Sequence, residues 1–257
     1  VYFLLMIEII LLSLIQGITE FLPISSSSHL ILVSDFINYE NQSLSIDVSL
    51  HIGSFIAVII YFYKEILNFF GNKILFFKVL ISSIPIMIIG FFLAETGIIE
   101  RIRDIKIIAW TTLIFGILLY FSDKFKLEKN IEKNFTFKSA FFIGFFQILS
   151  LMPGVSRSGI AITAARLLNF KRLDAAKISF LLSIPILGAV SLFGLKNLIL
   201  SENVFFTNIN LIAISLSFII SLTTIKFFLD YIKKFNLNIF VYYRILLGLI
   251  LITISYL

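Results

Sequence analysis

The sequence predicts an all-α polytopic integral membrane protein, with six transmembrane helices and two re-entrant helical hairpins in inverted repeats. Three observations carry this expectation. Of 257 residues, 59% are hydrophobic and 14% charged, against about 45–50% and about 25% in soluble domains. Six apolar stretches, near 47–64, 77–95, 106–122, 175–197, 209–228 and 239–256, approach the length of a bilayer span, about 20 residues. Two more apolar stretches are broken by polar residues at corresponding places in the two halves. This composition excludes a soluble enzyme, a disordered regulator and a nucleic-acid module. The net charge of +6 fits the Lys and Arg excess of cytoplasmic loops rather than a nucleic-acid partner. There is no Cys, so disulfides, thiolate nucleophiles and Cys-ligated zinc are also excluded.

The chain begins Val-Tyr-Phe-Leu-Leu. With no basic n-region and no small-residue cleavage site, it does not read as a signal peptide. Val1 suggests that an initiator or a few leading residues are missing. Residues 3–16 are apolar, and then Gln16, Gly17, Thr19, Glu20, Pro23 and the run Ser25 to Ser28 with His29 interrupt, before a short apolar run from Leu30 to Val33. A helix of about 14 residues reaches roughly 21 Å, short of the roughly 30 Å hydrocarbon core. The first interrupted region therefore reads as a hairpin that enters and leaves by one face. Residues 139–152, the break Pro153-Gly154-Val155-Ser156-Arg157-Ser158-Gly159 and a short run to Phe170 read the same way.

The charged stretch Asp123 to Asn134 divides a single membrane domain, 1–257, into a first repeat, 1–122, and a second, 135–257. Each half holds one hairpin and three spans, and Ser83-Ile84-Pro85-Ile86 recurs as Ser183-Ile184-Pro185-Ile186. An odd number of spans inverts the second half. Interrupted segments at matching positions of inverted repeats point to a midplane site. On this layout the loops near 64–78, 123–138, 166–177 and 226–234 hold fifteen Lys and Arg, Arg166 and Arg172 among them, against Arg101, Arg103, Lys106 and Lys196 on the other side. The first side is then cytoplasmic. The first hairpin enters from outside and the second from the cytoplasm, so their tips can meet.

Gln16 and Glu20 are four apart and share a helix face. Their oxygens suit Mg²⁺ or Ca²⁺. A carboxylate within a membrane is costly and functional by default. A Ser hydroxyl needs an activator, for which His29 and Glu20 are candidates. The bland reading of the serines is that they satisfy backbone groups at a helix break. At the second break, Gly154 and Gly159 allow close backbone approach. The following helix N-terminus favours an anion, and Arg157 offers a planar fork for phosphate oxygens. Ser156 and Ser158 add donors. The alternative for Arg157 is a structural bridge to Glu20. His51 reads equally as a packed interface residue, Glu8 receives no role, and Arg244 either snorkels or buttresses the core.

The first cluster resembles the E/Q-x-x-x-E plus Pro-x-Ser-Ser-x-x-His signature of the bacterial undecaprenyl-diphosphate phosphatase family, the bacitracin-resistance phosphatases. The second resembles that family's Pro-Gly-x-Ser-Arg-Ser-Gly motif. Leu50-His51-Ile52-Gly53, the two Ser-Ile-Pro spans and Tyr243-Arg244-Ile245 extend the similarity over nearly the whole chain. The resemblance implies hydrolysis of undecaprenyl diphosphate, recycling a lipid carrier for cell-wall polymers and conferring bacitracin resistance. It also implies a polyprenyl diphosphate partner among membrane lipids. The place would be the bacterial plasma membrane, with the site opening to the periplasmic side. A homodimer is left open. By position, Glu20 and Gln16 fall on the metal-associated pair, Ser26 on the nucleophile and His29 on the catalytic histidine. Arg157 falls on the diphosphate-binding arginine, and Ser156 and Ser158 on phosphate-contacting serines. Gln16 stands where Glu is frequent, Ser28 where Gly is usual and Ala161 where Thr is common. The rival from another class is a transporter or flippase of the lipid carrier, since inverted repeats with broken helices are transporter architecture.

Overall fold

The computed structural model describes residues 2–37, 44–71, 73–200 and 208–257. Val1 lies outside the described residues. The first half contains α1 (Tyr2–Thr19), α2 (Ser26–Ile37), α3 (Leu44–Tyr61), α4 (Tyr63–Gly71), α5 (Lys73–Glu95), α6 (Ile98–Arg101) and α7 (Ile105–Asp123). The second contains α8 (Ile131–Asn134), α9 (Phe137–Gln147), a 3₁₀ turn (Ile148–Leu151), α10 (Arg157–Leu167), α11 (Arg172–Leu200), α12 (Asn208–Lys234) and α13 (Asn238–Tyr256). Among the described residues the only β feature is the isolated bridge between Lys129 and Phe170. The protein is an all-α polytopic membrane protein.

Among the described residues five helices are long and apolar enough to cross a membrane, namely α5, α7, α11, α12 and α13, while Ser45–Tyr61 within α3 forms a shorter apolar segment. The stretch expected as a span over 47–64 thus ends at Tyr61, and α4 follows. The first limb of the first hairpin is longer than expected. Its helix runs through Gln16 and Gly17 to Thr19, 18 residues, or about 27 Å. The polar residues do not end it because they bond inside the protein. Thr19 Oγ1 donates to the Ile15 carbonyl at 2.6 Å and Gln16 Nε2 to Glu20 Oε2 at 3.2 Å.

The limbs pack crosswise between the halves. Helix α1 lies against α12 and α9 against α5, while α3 meets both α11 and α12, and α7 meets α13. At the end of the first limb, Phe21 meets Phe180 edge-on with centroids 5.4 Å apart, and Phe180 continues to Phe228 at 5.8 Å. These rings seat the first tip on the core. Pro85 and Pro185 lie inside α5 and α11. Serines two residues before them bond backbone oxygens: Ser83 Oγ donates to the carbonyls of Val79 and Leu182, and Ser183 Oγ to that of Phe180.

One assignment is corrected. Arg166 is not a loop charge but a fully buried residue of α10. Its Nε donates to Asp123 Oδ1 at 3.3 Å, and its two terminal nitrogens donate to the carbonyls of Asp123, Phe125, Lys126 and Phe170. Arg172 Nε and the Leu237 N–H also reach the Asp123 carboxylate, at 2.8 and 3.3 Å. One aspartate thus joins the adjacent ends of α7, α10, α11 and α13. The sequence places Arg166 beside basic loop residues, and only the folded chain supplies the oxygens that surround it.

Candidate active site

Both hairpins break in the same way. Pro23 precedes Ser25, which has φ 75°, and α2 starts at Ser26. Pro153 precedes Ser156, which has φ 70°, and α10 starts at Arg157. Proline cannot continue the hydrogen-bond ladder, and a positive φ turns the chain sharply before the next helix. The two short helices therefore begin at the tips, where their first N–H groups have no partner within the helix.

The tips are tied together by side chains. Glu20, 7% exposed, accepts from Arg157 Nη2 at 2.6 Å through Oε1. Its other oxygen accepts from Ser26 Oγ at 2.7 Å and Gln16 Nε2 at 3.2 Å. Ser158 Oγ donates across to the Leu22 carbonyl at 2.7 Å. The structure thus brings Gln16, Glu20, Ser26 and Arg157 into one cluster. Arg157 is indeed bridged to Glu20, yet its Nη1 is buried with no hydrogen-bond partner. One edge of the fork holds the first hairpin and the other makes no hydrogen bond within the protein. Gln16 Oε1 is likewise buried and unpartnered.

His29 is one turn beyond Ser26 on α2, but both its ring nitrogens are engaged elsewhere. Nδ1 lies 2.6 Å from the Ser25 carbonyl, and Nε2 lies 2.5 Å from the Tyr243 hydroxyl. The hydroxyl partner of Ser26 is therefore Glu20. Ser25 Oγ bonds the hydroxyls of Ser28, at 3.0 Å, and Ser27, at 3.4 Å. Ser156 Oγ accepts the Gly159 N–H at 3.1 Å and lies 3.2 Å from Ser158 Oγ. Of the second cluster's hydroxyls, Ser156 thus caps α10 and Ser158 fixes the tip. Gly154 and Gly159 have neighbours within the protein. Gly154 has φ +92°, and a Cβ there would run into Thr111 Oγ1 and lie 2.8 Å from the Ile108 carbonyl. A Cβ at Gly159 would lie 2.9 Å from Arg244 Nη1. His51 Nδ1 bonds the Asp47 carbonyl on its own helix at 2.8 Å.

Sequence reasoning undervalued two neighbours on α13. Arg244 is 1% exposed and does not snorkel. It donates to the carbonyls of Pro23 (3.2 Å), Gly154 (2.8 Å), Val155 (3.0 Å) and Thr112 (3.3 Å). It buttresses both tips at once, in the manner of intramembrane charges that pair with backbone carbonyls. Tyr243, beside it, reaches His29. The available signal was Arg244 itself, a charge set in an otherwise apolar span. Thr111 on α7 completes the support by donating to the Pro153 carbonyl at 2.5 Å.

Known proteins share this chain's sequence over nearly its full length. A protein named undecaprenyl-diphosphatase from Pelagibacter ubique (strain HTCC1062) is 53% identical over 251 residues, covering 97% of this chain and 98% of that protein. Proteins of the same name from Saccharophagus degradans and Jannaschia sp. are 43% and 38% identical, over 93% and 96% of this chain and 94% and 97% of their own lengths. The family model described as bacitracin resistance protein BacA matches residues 9–250. With that match and these identities, the chain belongs to the BacA bacitracin resistance protein family.

Proposed function

We propose that the protein hydrolyses undecaprenyl diphosphate to undecaprenyl phosphate and inorganic phosphate, as the names of its relatives indicate for them. The observation that carries this reading is the Glu20 junction. One buried carboxylate holds a serine hydroxyl at 2.7 Å on one oxygen and a guanidinium at 2.6 Å on the other. Ser26 Oγ attacks the terminal phosphorus and passes its proton to Glu20. The bond from that phosphorus to the bridging oxygen breaks, and undecaprenyl phosphate leaves. Water then cleaves the phosphoserine, releasing phosphate and restoring Ser26. The free Arg157 Nη1 and the α10 N-terminus stabilise charge on the transferred phosphoryl oxygens.

A divalent cation, Mg²⁺ or Ca²⁺, fits beside Glu20 and the unpartnered Gln16 Oε1, both hard oxygen donors. Among the described residues no group of three acidic, His or Cys side chains gathers there, so Glu20 and Gln16 would hold the ion only together with oxygens from outside the chain. When bound, the ion neutralises phosphate charge.

The halves 1–122 and 135–257 are inverted repeats on this reading. Its supports are the matched positive-φ serines and the crosswise packing of α1 on α12 and α9 on α5. On the same reading the protein lies in the bacterial plasma membrane with its site opening to the periplasmic side, and the excess of Lys and Arg on one face of the layout supports that orientation. An apolar cavity of about 400 Å³ between α5 and α11, bordered by Leu151, offers room for part of the prenyl chain. Phosphate release from a prenyl diphosphate by the purified protein in detergent tests the function. Folded protein that releases none, with Mg²⁺ or with Ca²⁺, would leave transport of the lipid carrier as the surviving reading.

A further inference from the structure

The two nitrogens of His29 are held by opposite parts of the fold. Nδ1 lies 2.6 Å from the Ser25 carbonyl oxygen, which can only accept, so Nδ1 carries a proton. In the neutral ring the lone pair is then on Nε2, 2.5 Å from the Tyr243 hydroxyl, which must be the donor. The two rings lie nearly parallel, 14° apart, with centroids at 5.7 Å. Neither anchor is loose. The Ser25 carbonyl belongs to the positive-φ residue just before α2, and Ser25 Oγ bonds the Ser28 hydroxyl. Tyr243 adjoins Arg244, which grips the backbone of both tips. Tyr243 itself is 41% exposed.

We propose that Tyr243 is a positioning residue for His29, capping the Nε2 lone pair until a diphosphate enters. A phosphate oxygen is a charged acceptor and outcompetes a neutral imidazole for the hydroxyl. Turning the hydroxyl to that oxygen frees Nε2 while the Ser25 carbonyl keeps the ring aimed. His29 then presents its lone pair only when substrate is present. The release step rests on the phosphatase reading, whereas the cap itself does not.

Tyr243→Phe tests the cap, because it keeps the ring and removes only the donor. Diethyl pyrocarbonate acylates imidazoles at a free lone pair, and the chain has two histidines, His29 and His51. Peptide mass spectrometry of the protein in detergent follows each separately, with His51 as internal standard. A neutral hydrogen bond contributes about 1 kcal/mol, so His29 should be acylated about fivefold faster in Tyr243→Phe, with His51 unchanged. In turnover, KM should rise about fivefold while kcat holds, because the hydroxyl's bond to a phosphate oxygen is made when substrate binds and Nε2 is already free in the variant. An unchanged His29 acylation rate in folded Tyr243→Phe overturns the proposal. So does ¹⁵N NMR of histidine-labelled wild type that shows Nε2 protonated. If the acylation difference is present but wild type releases no phosphate, the cap stands and the phosphatase reading falls.

Discussion

Ser26 and Arg157 open the short helices of the two hairpins, each preceded by a serine with positive φ and by a proline two or three residues earlier. The backbone device is shared, while the side chains diverge. In the first hairpin, Gln16 is followed four residues on by Glu20, and the pair is hydrogen-bonded at 3.2 Å. In the second, Gln147 is followed four residues on by Leu151, which borders the apolar cavity. Gln147 Nε2 instead reaches the Ser82 carbonyl at 3.3 Å. The first hairpin thus carries the carboxylate and the hydroxyl bonded to it, and the second carries the guanidinium and a rigid turn. The difference teaches that two hairpins with one backbone device can converge while only one of them brings a carboxylate to the junction. Glu20 is the point of union, since it bonds residues from both.

The largest effect should come from the first hairpin. Ser26→Ala should lower hydrolysis by about a hundredfold or more, the range of a lost proton-transfer or nucleophilic group. Ser25→Ala, Ser27→Ala and Ser28→Ala should retain more activity, because those three hydroxyls bond one another rather than Glu20. Phosphate release per folded protein, with Mg²⁺ or Ca²⁺ present, is the measurement. Similar modest losses at all four positions would mean that the serine run only supports the turn. Robust turnover by Ser26→Ala would move the nucleophile to His29 or water.

A smaller loss, about tenfold or more, is expected for Arg157→Lys in the second hairpin, equivalent to at least about 1.4 kcal/mol of transition-state stabilisation. An ammonium can keep the contact to Glu20 but cannot offer a second coplanar nitrogen. The free Nη1 is the atom at issue. Near-normal kcat at saturating substrate would reduce Arg157 to a bridge, and the division of labour between the hairpins would fail with it.

Much of this was legible in the sequence because its signals are local. Apolar length marks the spans, and Pro23 and Pro153 mark the breaks. Glu20 declares itself as a carboxylate in an apolar context. What escaped depends on contacts between residues far apart in the chain. Gln16 and Thr19 looked like the end of a helix, but bonds to Glu20 and to the Ile15 carbonyl keep them inside it. Gly154 and Gly159 looked like room for a ligand, and the structure sets Thr111 and Arg244 against them. Arg166 counted among loop charges until Asp123 and four carbonyls enclosed it. Tyr243 sits beside Arg244 in the sequence, but nothing local points to its partner His29, 214 residues away.

The smallest effect separates the two turns themselves. Ser25 and Ser156 hold φ of 75° and 70°, sparsely populated backbone that costs a residue with a Cβ about 1–3 kcal/mol. Glycine removes that strain but adds conformational freedom to the unfolded chain, worth about 0.4–1 kcal/mol against it. The tips differ in what the hydroxyl does. Ser156 Oγ caps the Gly159 N–H, whereas Ser25 Oγ bonds only the Ser27 and Ser28 hydroxyls. Losing a cap to glycine costs a few tenths of a kcal/mol. Ser25→Gly should therefore leave the thermal midpoint in detergent level or slightly raised, and Ser156→Gly should fall below it. The reverse order would show that the Ser25–Ser28 pair, rather than the α10 cap, is the stronger fastening at the junction.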